Sequence, residues 1–176
     1  MPLLLVLTLA GCGGGDASTS GDEAWATDLC TSIASWRSEV ETIAQDAADA
    51  ITEPGATRDT VEDAVRAGLD ATETLLQDLR ASVPPDTEEG DEAQAALDEF
   101  LETVSAANNE VETAIESLPE GAGIAEVVTE LSGLAAGLQT TIESGQALVE
   151  ELIAIGGGVR DAFANADACQ ELRAPE

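Results

Sequence analysis

The chain has 176 residues, and its 36 acidic side chains stand against six basic ones, a formal charge of −30 with no histidine. All six basic residues are arginine, a balance that speaks against nucleic-acid binding, whose affinity comes largely from Lys and Arg neutralising phosphates, and against electrostatic docking on anionic lipid. It leaves cations, basic surfaces or neutral ligands as partners, beside the bland alternative that the charge only keeps a solvated surface soluble.

The length suffices for one ordinary domain with its own core. The apolar share is 44% but the aromatic share only 2%. Abundant Ala, Leu and Glu with few aromatic residues favours helices over pleated strands.

Residues 3–9 form a short apolar run, Leu-Leu-Leu-Val-Leu-Thr-Leu, followed by Ala10, Gly11 and Cys12. The run is too short to cross a bilayer, which takes about 20 apolar residues. It reads instead as the end of a secretory signal. Leu9-Ala10-Gly11-Cys12 closely resembles the lipobox of bacterial lipoproteins. The resemblance implies a signal peptide over residues 1–11, cut before Cys12, and diacylglycerol on the Cys12 thiol. Small residues before the cysteine suit a narrow protease subsite. Only Met1 and Pro2 precede the apolar run, where such signals carry a positive region, so the true start is expected upstream. Residues 12–21, rich in Gly, Ser and Thr, are expected to form a flexible tether.

From residue 22 onward the apolar residues recur at steps of three and four, the stripe of an amphipathic helix. The first helix is expected over 22–51, on Leu29, Ile33, Trp36, Val40, Ile43 and Ala47, and Pro54-Gly55 ends it. The second spans about 57–83, on Val61, Val65, Leu69, Leu76 and Leu79, and Pro84-Pro85 stops it. The third starts at Asp86 or Thr87, both good N-caps, and runs to Leu118 through Leu97, Phe100, Val104 and Val111. The fourth covers about 123–155, and Gly156-Gly157-Gly158 breaks it. A short fifth helix spans about 160–173. Short connections between long helices force antiparallel neighbours. The expected fold is therefore all-α: an up-down-up-down four-helix bundle with a short C-terminal fifth helix, filling residues 22–176 as one domain.

With Cys12 carrying lipid, Cys30 and Cys169 remain as a pair, and an exported protein meets an oxidising compartment. The expected topology agrees: helix four finishes at the end where helix one began, and helix five carries Cys169 back beside Cys30. A disulfide is expected there, with two buried free thiols as the alternative. The same topology gathers Trp25, Trp36, Phe100 and Phe163 at this end. It lines the other with Ala44, Ala47, Ala50, Ala64, Gly68 and Ala114, which either pack tightly or leave a narrow apolar cleft.

Much catalytic chemistry is absent from the sequence. Without His there is no Ser-His-Asp or Cys-His nucleophile system and no Glu-x-x-His motif of di-iron bundles. Without Lys there is no phosphate-binding Gly-Lys loop. Zinc sites of the common kinds need Cys and His. The acidic turn Asp86-Thr87-Glu88-Glu89-Gly90-Asp91-Glu92 does not match the spacing of an EF-hand calcium loop. No enzymatic activity, metal or cofactor is expected.

The whole chain resembles the small helical lipoproteins of high-GC Gram-positive bacteria. The resemblance is carried by the lipobox, by Cys30 followed by Trp36, and by the terminal Ala168-Cys169-Gln170-Glu171-Leu172. It implies an extracytoplasmic address, a lipid anchor and a disulfide-closed helical domain, and no activity. Two functions are compatible with it. One is a non-catalytic interaction module facing another protein of the cell envelope. The other is a carrier of a small apolar ligand held between the helices.

Overall fold

The computed structural model describes residues 16–53, 57–119 and 123–173. The chain is all-α: α1 is Asp16–Thr52, α2 Arg58–Ala81, α3 Glu88–Glu116, α4 Ile124–Ile155, α5 Gly157–Asn165 and α6 Asp167–Arg173. There is no strand among the described residues.

The helix boundaries have local causes. Thr57 caps α2 reciprocally: its side chain accepts from the Thr60 amide while the Thr60 side chain accepts from the Thr57 amide. Thr87 caps α3, its hydroxyl accepting from the Gly90 amide at 3.0 Å. Glu88, Glu89 and Asp91 then lie in the first turn, where negative charge meets the positive end of the helix dipole. Between α4 and α5, Gly156 takes φ +105° and Gly157 φ +56°, backbone that only glycine adopts without strain.

Two boundaries differ from the sequence expectation. Within the stretch 12–21 expected as a tether, α1 already begins at Asp16, and residues 12–15 lie outside the described residues. Extending an established helix by a turn costs far less than nucleating one, and Asp16 sits at the favourable, positive end of the dipole. The single fifth helix is instead two. Ala166 turns extended (φ −65°, ψ 123°) and separates α5 from α6. The Gln170 side-chain amide occupies carbonyls this frees, donating to Ala164 at 3.2 Å and to Asn165 at 3.5 Å. Asp167 then opens α6 with a carboxylate in its first turn.

One hydrophobic core joins all six helices. α1 buries Trp25, Leu29, Cys30, Ile33, Trp36 and Val40; α2 meets them with Leu75, Leu76 and Leu79, and α3 with Leu97, Phe100 and Val104. Leu148, Val149 and Leu152 of α4 join Val159 and Phe163 of α5 and Leu172 of α6. α1 packs along α2 and against α5 and α6; α2 touches α3, and α4 touches both α3 and α5. α1 and α4 come together around Gly145, where an added Cβ would lie 3.1 Å from the Ile33 methyl. Burial thins along α1: Ile43, Ala47, Ala50 and Ile51 are only half-buried, as are Val65 and Leu69 of α2 and Val111 of α3.

The turn before α3 hides a constraint that composition does not announce. The Thr87 amide donates to the Pro85 carbonyl at 2.9 Å, folding that carbonyl over the first turn of α3. A Cβ on Gly90 would sit 1.8 Å from the Pro85 oxygen. Alanine ordinarily stabilises a helix interior by about 1 kcal/mol over glycine. Here overpacking against backbone reverses the sign, so Gly90→Ala is expected to destabilise by about 2 kcal/mol in urea unfolding. Gly68→Ala in α2, with nothing within 4 Å of the added carbon, supplies the opposite sign, a gain of up to about 1 kcal/mol. Equal gains from both variants would show that Pro85 does not press on Gly90.

Candidate functional site

Cys30 and Cys169 form a disulfide, with their Cα atoms 5.1 Å apart at a sequence separation of 139. Both are fully buried. The bend at Ala166 makes the bond reachable, since it turns α6 back so that Cys169 and Leu172 both face the core. Around the bond the expected gathering of aromatics is realised in part. Trp25 and Phe163 meet edge to face, with centroids 5.1 Å apart and planes at 81°. Trp36 and Phe100 are buried in the same core, but Trp36 lies three turns further along α1 and is held by α2.

Each indole nitrogen has a hydroxyl partner that sequence spacing does not reveal. Trp25 donates to Ser82 Oγ at 2.6 Å. Trp36 donates to Thr72 Oγ1 at 3.1 Å, and Thr72 passes its own proton to the Gly68 carbonyl at 2.8 Å. Thr72 stands on the apolar stripe of α2 because a buried N–H without a partner costs about 1–3 kcal/mol. A threonine at an apolar position, facing a tryptophan helix, is the only signal the sequence offers for this pair.

The glycine junction is crowded by carboxylates. A Cβ on Gly157 would meet Glu89 Oε1 at 2.7 Å, and one on Gly158 would meet Asp22 Oδ2 at 2.5 Å. Acidic side chains from α1 and α3 thus lie against the start of α5, where helix amides have no intrahelical partner and negative charge is favourable.

Two grooves open on the surface near this end. One, of about 780 Å³, lies between α1 and α6 and is lined by Thr31, Ser35, Ser38, Glu39, Ala168 and Glu171 among others. The other, of about 400 Å³, lies between α1 and the end of α2 and includes Asp28, Asp78, Ser82 and Val83. Hydroxyl and carboxyl groups predominate among the polar lining of both. Val83, 80% exposed, is the one exposed large apolar side chain among the described residues.

Charge is distributed unevenly. On α1, Arg37 pairs with Glu41 at 3.7 Å. On α2, Glu62 accepts from Arg58 and lies 3.2 Å from Arg66, which also reaches Asp63 at 3.4 Å. The hydrogen bond from Arg58 holds the Glu62 carboxyl below its usual value; desolvation acts the other way, and the charges of Arg58 and Arg66 with a hydrogen bond from Arg66 add to the lowering. Arg58 also donates to the Pro119 carbonyl, joining the start of α2 to the end of α3. By contrast α3 carries ten carboxylates and α4 five, with no arginine on either. Glu88, Glu92, Glu99, Glu102 and Glu110 recur at helical steps on the side of α3 opposite its buried stripe, and all five are exposed. α3 and α4 pack on each other, so their outer surfaces join.

Cys12, the expected lipidation site, and the signal expected over 1–11 lie outside the described residues. Among the described residues no group of three or more His, Cys, Asp or Glu could hold a metal ion, and no helix is long and apolar enough to cross a membrane. Compared with models of known protein families, with curated proteins and with solved structures, the chain matches none.

Proposed function

We propose that this protein is an extracytoplasmic lipoprotein, held at the outer face of the cell membrane by a lipid on Cys12, and that its helical domain is a non-catalytic interaction module of the cell envelope. The observation that carries the address is the buried Cys30–Cys169 bond. Such bonds persist in oxidising compartments, which supports export. The bond also uses two of three cysteines and leaves Cys12, directly after Leu9-Ala10-Gly11, as the thiol available for a lipid. A surface this acidic gains nothing from anionic lipid headgroups, so a covalent anchor is the physically economical means of staying at a membrane. The short connections, together with the packing of α1 on α2, α2 on α3 and α3 on α4, support the up-down-up-down course for the four long helices.

Cells expressing the full chain and fed an alkyne analogue of palmitate test the anchor. Label is expected on the wild type and in the membrane fraction, with Cys12→Ser unlabelled and released. An unlabelled wild type overturns the proposal.

For the interaction module, the arginine-free surface of α3 and α4 supports a partner with a basic face, because charge complementarity of this kind steers encounter and selects partners. The test is capture of detergent-solubilised envelope proteins on the purified full chain at low and high salt. Proteins with basic faces are expected to be retained at low salt, and to be lost either above about 0.5 M salt or on a variant carrying Glu92→Gln, Glu99→Gln and Glu102→Gln. A retained set that responds to neither change removes the acidic surface from the reading.

The alternative, a carrier of a small apolar ligand, draws support from half-buried Ile43, Val65, Leu69 and Val111 away from the disulfide. The carboxyl and hydroxyl lining of the groove between α1 and the end of α2 suits an apolar ligand poorly, while the groove between α1 and α6 also exposes Ala34, Ile43 and Ala168.

A further inference from the structure

We draw no further inference here: the strongest candidate, the open groove between α1 and α6 lined by Thr31, Ser35, Ser38, Glu39 and Glu171, carries nothing because nothing in the structure shows what occupies or covers it.

Discussion

A variant with Cys30→Ala and Cys169→Ala is expected to lose about 5 kcal/mol of stability, close to the upper end for a single disulfide. The loss follows from the 139-residue separation of the two cysteines. In the chain-entropy account, a cross-link restricts the unfolded chain by an amount that grows with the logarithm of the loop it closes, so a bond joining the first half of α1 to α6 has nearly the largest effect possible in 176 residues. A typical domain is stable by about 5–15 kcal/mol, so the loss decides whether the fold persists at working temperature. For a chain of this size it corresponds to a fall of roughly 10–20 °C in Tm. Circular dichroism during thermal and urea unfolding measures it. The double variant and a reduced wild type should retain helical signal at low temperature, since α1 to α4 keep their apolar stripes. A double variant within about 1 kcal/mol of wild type would mean that native-state strain or residual structure in the unfolded chain cancels the entropic term.

Phe163→Ala is the second large effect, expected to cost about 3–5 kcal/mol. Phe163 is fully buried and stands edge to face with Trp25, so truncation removes both the transfer free energy of a whole ring and the aromatic pairing. The surroundings have little freedom to close the cavity. α5 is tied before Phe163 by Arg160, which donates to the Ile153 carbonyl of α4 at 3.2 Å, and after it by the disulfide through α6. Val83→Ala, at a position 80% exposed, is the matched control and should change stability by less than about 0.5 kcal/mol. Near-UV circular dichroism adds an independent readout, because loss of the Phe163 ring should change the Trp25 signal. If Phe163→Ala cost no more than the control, the α5–α6 segment would contribute little to the core.

These two effects bear on the proposed role. An exported protein meets proteases without a cytosolic supply of chaperones, and a rigid domain on a lipid anchor has to remain folded unaided. The bond and the Trp25–Phe163 pair hold the C-terminal segment against the helix that follows the proposed anchor. The exposed carboxylates of α3 repel one another and so oppose compaction. Strength at one end of the core offsets that repulsion.

By itself the sequence determined the fold class, most ends of the long helices and the cysteine pairing. Apolar steps of three and four, broken by Pro54, Pro84-Pro85 and Gly156 to Gly158, are local signals, and local signals survive without knowledge of neighbours. The pairing of Cys30 with Cys169 was legible because reading Cys12 as a lipidation site leaves these two as the one even pair. The tertiary structure alone decided the rest. The break at Ala166 follows no breaker residue; it arises because α6 must turn to deliver Cys169 and Leu172 to the same core. Gly90 looks like a weak point in an α3 that alanine would improve, until the Pro85 carbonyl is found on top of it. The hydroxyl partners of Trp25 and Trp36 come from α2, 57 and 36 residues away, and no spacing rule connects residues that meet only after two helices pack. Periodicity reports which face of a helix is inward, whereas a neighbour at a given atom depends on how that face is rotated and set against another, which is fixed by the summed packing of the whole core.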